Sequence, residues 1–169
     1  MTLDDLWRRF DEDGELGATA DELAEAWRAS DSPAAVYSLG GIGVERPRLI
    51  AALVAAAELA AGVLPAEDLA AIEVARRWLA GTATVEDAER VLERGMSAWQ
   101  TASSAGDADR MAATTASLGP VSVIVAKPSR LPPSRAVHAL DCAGIVAGRR
   151  NVADVLRAHL PCPRPDVRR

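Results

Sequence analysis

Few side chains in this 169-residue sequence are suited to nucleophilic, acid–base or metal chemistry at neutral pH. The sequence contains two histidines, His138 and His159, and two cysteines, Cys142 and Cys162. A serine, threonine or cysteine nucleophile needs a nearby base and a group that orients that base. The segment "GGIGVERP", starting at Gly40, lacks the lysine of a phosphate-binding loop. The sequence therefore predicts a protein that is not an enzyme.

The histidines and cysteines form one candidate metal set, with three residues between His138 and Cys142 and two between His159 and Cys162. Two such pairs could hold zinc tetrahedrally. A cysteine one helical turn after a histidine is also typical of a packed helix face, and the second pair flanks Pro161 near the end of the chain. We expect no bound metal or cofactor and keep zinc binding as an alternative.

Four carboxylates in "FDEDGELGATADEL" resemble the ligands of an EF-hand calcium loop: Asp11, Asp13, Glu15 and Glu22. They fall at loop positions 1, 3, 5 and 12. The sixth position of that loop is glycine, whereas here it is Leu16, and Gly17 comes one residue later. The other interpretation is an acidic loop followed by a helix that begins at Thr19, with Glu22 completing a capping box. We favour the second interpretation and keep calcium binding as an alternative.

Charge is distributed unevenly along the sequence. Residues 1–45 hold eleven acidic and three basic residues, a balance of −8, and residues 127–169 hold three acidic and nine basic residues, a balance of +6. The two ends could pack together and cancel, or the acidic end could attract a basic partner. The densest acidic cluster is the candidate partner-binding site: Asp11, Glu12, Asp13 and Glu15. Nucleic acid is not the expected partner, because most of the chain lacks a basic stripe with aromatic residues.

Composition and hydropathy are typical of a soluble globular protein, with 49% hydrophobic and 25% charged residues. The N-terminus "MTLDDLWRRF" carries acidic residues where a signal peptide needs basic ones. The most apolar run, from Leu49, contains Glu58 and is too short to cross a membrane. With two cysteines and no export signal, we expect a cytoplasmic protein with reduced thiols and no membrane association.

Apolar residues recur with helical spacing through most of the chain, which predicts an all-α, single-domain bundle of about seven or eight helices. We expect an acidic N-terminal helical segment over 1–44, a helical core over 45–161 and a frayed tail over 162–169. Within this plan, residues 30–47 are expected to form a turn-rich connection because of their glycines. The segment 119–128, "GPVSVIVAKP", suits a strand or a helix, and we favour a helix because a strand would have no partner.

The best-organised stretch, residues 69–99, reads as two amphipathic helices joined by the short turn "GTAT". We expect Trp78 and Trp99 to be core residues of neighbouring helices. The inward face of the second helix is predicted to consist of Val85, Ala88, Leu92, Met96 and Trp99.

One family resemblance covers residues 45–161. The segment "ERPRLIAALVAAAELAAGVLPAEDLAAIEVARRWLAGTATVEDAERV", the later "AVHALDCAGIVAG" and the closing "VLRAHLP" resemble the all-helical immunity proteins of bacterial polymorphic toxin systems. The matching motifs are a central "LP", an "AIEAARxW…G" helix and a "T-V-E-E-A" helix start, found here at residues 64–65, 71–81 and 84–88. The segment "SLGPVSVIVAKPSRLPP" replaces that family's Ala- and His-rich fourth and fifth helices.

The resemblance implies an inhibitor that binds a cognate toxin protein directly and blocks it. The acidic N-terminal third would suit a basic toxin. Two alternatives remain open from the sequence: a helical adaptor or scaffold module, and a metal-regulated binding protein that uses the calcium-like or zinc-like set.

Overall fold

The computed structural model describes residues 1–127 and 133–167. These residues form nine α-helices and no strand, so the predicted all-α class is confirmed, with nine helices in place of the expected seven or eight. The helices are α1 Leu3–Asp13, α2 Ala20–Ala29, α3 Pro33–Gly40, α4 Arg46–Ala60, α5 Ala70–Leu79, α6 Val85–Ala105, α7 Ala108–Val125, α8 Ser134–Ala147 and α9 Arg149–His159. Two 3₁₀ turns, Ala61–Val63 and Ala66–Leu69, connect α4 to α5.

Helix starts follow local rules that the sequence contains. Thr19 caps α2 and Thr84 caps α6, each in a capping box with the acidic residue three positions later. Helix α9 begins at Arg149 without a side-chain cap, and the Asn151 amide in its first turn donates a hydrogen bond to the carbonyl of Ala147 at 2.8 Å. The interpretation of Thr19 with Glu22 as a capping box is confirmed.

Helices α4 and α7 form the centre of the bundle. Helix α7 packs against α4, α5, α6 and α8, and α4 also packs against α8 and α9. Both central helices are apolar on nearly all sides, as expected for helices enclosed by others. Small residues let neighbours approach: a Cβ atom added at Gly119 of α7 would lie 2.8 Å from the Cβ of Ala139 on α8.

The segment whose conformation was ambiguous belongs to α7. Helix α7 runs through Pro120 and ends at Val125, so the preference for helix over strand is confirmed to that residue, and Pro128 lies outside the described residues. Pro120 has no N–H, so it cannot donate the usual helical hydrogen bond to the carbonyl four residues earlier. The helix is retained because it is buried against four neighbours.

The expected connection over residues 30–47 is wrong in its centre, where α3 forms. Ser32 caps this helix by accepting a hydrogen bond from the N–H of Ala35 at 3.3 Å, and Pro33 suits its first turn. One of the glycines that suggested a loop serves close packing instead. A Cβ at Gly40 would lie 2.5 Å from the Trp27 ring.

The predicted inward face of α6 is only partly correct. Ala88 is buried as expected, but Val85 and Met96 are 39% and 47% exposed. Trp78 and Trp99 are both half-buried. Trp78 packs against the core, so its assignment is right in part, whereas the assignment of Trp99 to the core is wrong in degree. Helix α6 packs mainly on α5 and α7, so only a narrow face of it is covered.

Residues 162–167 pack more closely than the frayed tail expected over 162–169, and residues 168–169 lie outside the described residues. Pro163 is buried and Val167 packs against the core. One cluster of buried apolar residues extends from Leu3 of α1 to Leu160 after α9.

Candidate functional site

The most highly charged surface covers the end of α1, the following loop and the start of α2. Residues 11–25 contain seven carboxylates and no basic residue. All seven side chains are exposed, and together they are called the acidic surface here: Asp11, Glu12, Asp13, Glu15, Asp21, Glu22 and Glu25.

The acidic surface is held by apolar anchors and a backbone contact. Leu16, between the acidic residues, is fully buried, and Gly14 ends α1 in the left-handed conformation with φ of 78°. The guanidinium of Arg9 donates a hydrogen bond to the carbonyl of Gly17 at 3.2 Å. These contacts fix the loop on the bundle while the carboxylates stay in water.

Helix geometry makes part of this surface locally unfavourable. Helix α1 extends to Asp13, so Glu12 and Asp13 lie in its last turn, which contains no basic residue. Carboxylates at the C-terminal end of a helix lie at the negative end of its dipole. The positions of these two side chains therefore do not serve the stability of α1.

The EF-hand ligand set is not assembled. Asp11 and Asp13 lie within α1, and Glu22 Oε2 accepts hydrogen bonds from the N–H and the hydroxyl of Thr19 at 2.9 and 2.8 Å. The backbone and then the side-chain hydrogen bond from Thr19 lower the pKa of Glu22. Across residues 1–127 and 133–167, no three His, Cys, Asp or Glu side chains are grouped so that they could hold a metal ion.

The zinc-like set is divided between two places. The Sγ of Cys142 lies 3.9 Å from Nε2 of His138 on α8, whereas His159 ends α9 and Cys162 follows it on the exposed tail. Cys142 is buried, and burial raises the pKa of its thiol. That environment suits a packed helix face, the other interpretation that the sequence allowed.

The basic C-terminal segment does meet the N-terminal third, but at backbone carbonyls. Arg157 donates from Nε to the carbonyl of Trp27 at 2.7 Å and from Nη2 to the carbonyl of Ser30. Arg150 donates to the carbonyls of Ala29 and Arg28 at 3.1 and 3.3 Å. These carbonyls are the ones that the end of α2 leaves unpaired. Part of the charge asymmetry is therefore explained by the capping of a helix.

A second candidate site is an open apolar groove, called the α6–α8 cleft here, with a volume of about 480 Å³. Its lining comes from one face of each of three helices: Leu92, Met96 and Trp99 of α6, Thr115, Leu118, Gly119 and Ser122 of α7, and Ser134, Arg135 and His138 of α8. Sequence reasoning missed this cleft because it placed Met96 and Trp99 in the core. Gly119 of the floor gave no signal for the cleft, because it serves the close approach of α7 and α8.

Comparison with protein-family models, with curated proteins and with solved structures found no match to this chain. A search of the described helices found none with the length and apolar character needed to span a membrane.

Proposed function

We propose that this protein is a non-catalytic, cytoplasmic binding protein of the immunity type, which neutralises a cognate bacterial toxin by direct contact. The observation that carries the proposal is the acidic surface: seven exposed carboxylates without a basic residue between them, on a loop and two helices fixed to the bundle. The family resemblance over residues 45–161 supplies the class of partner.

The placement of Glu12 and Asp13 supports a role in binding. Both lie at the unfavourable end of α1, so they oppose the helix in the free protein. A basic partner surface would compensate that charge in the complex. Residues that break a local stability rule are expected at functional sites.

Charge complementarity at such a surface acts mainly on the rate of association. Exposed carboxylates attract a basic partner over roughly 8 Å at physiological ionic strength, the distance over which salt screens them. The buried Leu16 and the contact between Arg9 and Gly17 hold the loop that carries these charges on the bundle. A toxin of net positive charge is therefore the expected partner.

The first experiment tests neutralisation. The protein is co-expressed with the toxin encoded beside its own gene, and bacterial growth is followed. We expect growth in the presence of the protein and arrest in its absence. Tight binding without any rescue of growth would favour the adaptor function instead.

The second experiment tests the acidic surface by replacing Asp11, Glu12, Asp13 and Glu15 with Asn or Gln. We expect the association rate with that toxin to fall by about tenfold and to depend less on salt, with little change in melting temperature. The matched control replaces four exposed carboxylates elsewhere in the same way: Glu45, Glu89, Glu93 and Asp109.

Two results would count against the acidic contact. Equal association rates for the two variants would show that only net charge matters. A large loss of stability in the first variant, with unchanged binding by the folded fraction, would show that the cluster supports the fold and does not contact the partner.

A further inference from the structure

The α6–α8 cleft has the form of a ligand site. Helix α7 is its floor, and α6 and α8 are its walls, because α7 packs against both. The floor residues Thr115, Leu118 and Ser122 recur with helical spacing on one face of α7, and Gly119 between them has no side chain. A volume of about 480 Å³ is in the range of small-molecule sites in proteins.

The centre of the cleft offers hydrocarbon to an occupant. Leu92, Met96, Trp99 and Leu118 line it, and Met96 is 47% exposed although it is a large apolar residue. The hydroxyl groups of the floor already donate hydrogen bonds within α7. Thr115 donates to the carbonyl of Met111 at 2.8 Å, and Ser122 donates to the carbonyl of Gly119 at 2.7 Å. The centre therefore suits an alkyl chain better than a polar ligand.

The α8 end of the cleft is positively polarised. Ser134 and Arg135 begin α8, whose first turn contains no acidic residue and whose N-terminus has no side-chain cap. Arg135 makes no ion pair with any residue in the described ranges, and its side chain is exposed beside the cleft. Free N–H groups at a helix start and a guanidinium both favour an anion.

His138 completes this end of the cleft, one turn further along α8. Asp141 lies close enough for the charges of the two side chains to interact, and the burial of Asp141 raises its pKa. The anion-binding group is Arg135 with the start of α8, and the exposed His138 lines the same end of the cleft.

We propose that the α6–α8 cleft binds a small amphiphilic carboxylate, with its alkyl chain along the apolar lining of Met96, Trp99 and Leu118 and its carboxylate at Arg135 and the start of α8. The apolar centre selects the chain, and the basic end selects the head group. This site is independent of the acidic surface, which lies on α1 and α2.

Decanoate, kept below its micelle-forming concentration, is the probe. Binding to the full chain is measured by calorimetry and by tryptophan fluorescence, with Trp99→Phe showing which part of the signal comes from the cleft. Decyltrimethylammonium has the same chain and the opposite charge. Because the protein has a formal net charge of −5, non-specific attraction would favour the cation.

Three variants locate the site. Leu92→Trp fills the cleft and should abolish saturable decanoate binding. Arg135→Gln should weaken it about tenfold, as expected for loss of one charge-assisted contact. Arg90→Gln, on the exposed side of α6, is the matched control and should bind like the wild type. Melting curves check that every variant is folded.

The expected result is saturable, one-to-one binding of decanoate that exceeds binding of the cation. The proposal is overturned if decanoate does not bind the wild type, if the cation binds equally well, or if Arg135→Gln has no effect in a folded protein. The variant in which Asp11, Glu12, Asp13 and Glu15 are replaced by Asn or Gln should bind decanoate like the wild type. Loss of decanoate binding and loss of the proposed toxin contact can therefore be distinguished.

Discussion

Tyr37 is the one tyrosine of the chain, and it is completely buried in α3. Its hydroxyl has no hydrogen-bond partner among the described residues, and burial raises its pKa above the ordinary value of 10.0. We predict that tyrosinate absorbance does not appear near pH 10 while the protein is folded, and that it appears together with loss of helical circular dichroism. Tyrosinate formation at pH 10 in a fully helical protein would contradict this.

The burial of Tyr37 also makes the free energy of unfolding decrease at high pH. The folded-state pKa of Tyr37 exceeds the unfolded-state value, so above about pH 10 the unfolded chain loses a proton that the folded chain keeps. The free energy of unfolding then falls by up to about 1.4 kcal/mol per pH unit from this residue. Tyr37→Phe removes that slope together with the unpaired hydroxyl of this residue, so at pH 7 it should be neutral or stabilising.

Gly119 and Gly62 provide a matched pair of glycines for testing helix approach. A Cβ at Gly119 would lie 2.8 Å from the Ala139 Cβ, whereas a Cβ at Gly62 would meet nothing within 4 Å. Gly119→Ala should lower the free energy of unfolding by about 1–3 kcal/mol through overpacking. Gly62→Ala should be neutral or slightly stabilising. Chemical denaturation of both variants checks this, and equal effects would show that α7 and α8 can separate at little cost.

Single residues were predictable where their partners are near in sequence. Thr19 and Thr84 cap their helices because each side chain bonds to groups only three residues away. Met96 and Trp99 were not predictable, because helical spacing identifies an apolar face without showing whether a neighbouring helix covers it. Here the space beside them stays open, and the candidate cleft depends on that tertiary fact.

At the scale of whole elements, arginines complete the C-terminal ends of helices. Arg46 donates to the carbonyls of Ile124 and Ala126 at the end of α7, and Arg48 donates to the carbonyl of His159 at the end of α9. Arg157 and Arg150 donate to carbonyls at the end of α2. A guanidinium carries five donors in a fixed plane and can reach two carbonyls at once. These contacts give a structural role to several arginines in a chain that contains a single lysine.

Arg157 tests this role, because its side chain is only 13% exposed and it joins α9 to α2. Arg157→Lys keeps the charge but cannot reach both carbonyls, so we predict a loss of about 1–3 kcal/mol in the free energy of unfolding. Arg90→Lys, where the ion pair with Asp87 is exposed, should change it by less than about 0.5 kcal/mol. Urea denaturation compares the two. An unchanged free energy of unfolding for Arg157→Lys would contradict the prediction and would mean that water replaces the lost hydrogen bonds.

Elements were predictable where periodicity is strong and difficult where the helix is short or enclosed. Helices α4 to α6 follow the apolar pattern of the sequence. Helix α3 has eight residues and contains glycine, so its composition resembles a loop, and its packing against α8 and α9 adds to the Ser32 cap in making it helical. Helix α7 is apolar on all sides and contains Pro120, so local composition could not distinguish it from a strand.

At the scale of the whole molecule, the acidic and basic ends of the chain meet where α9 contacts the end of α2. The arginines of α9 bind carbonyls of α2, and the carboxylates of residues 11–25 remain exposed to solvent. The sequence left two alternatives open: the two ends pack together, or the acidic end attracts a basic partner. The structure confirms contact between the two ends only at backbone carbonyls of α2, and attraction of a basic partner stays a prediction.

The continuous core leads to a last prediction about cooperativity. Buried residues from α1 through α9 form one cluster, and Arg157 joins the ends of the chain, so the N-terminal segment should not unfold separately. A protein carrying Trp78→Phe and Trp99→Phe keeps Trp7 of α1 and Trp27 of α2 as the remaining fluorescent reporters. Its fluorescence and far-ultraviolet circular dichroism should change at the same urea concentration, as in two-state unfolding. A fluorescence change that precedes the loss of helix would instead make residues 1–44 an independently unfolding unit, attached to the rest mainly through the packing of α3 against α8 and α9.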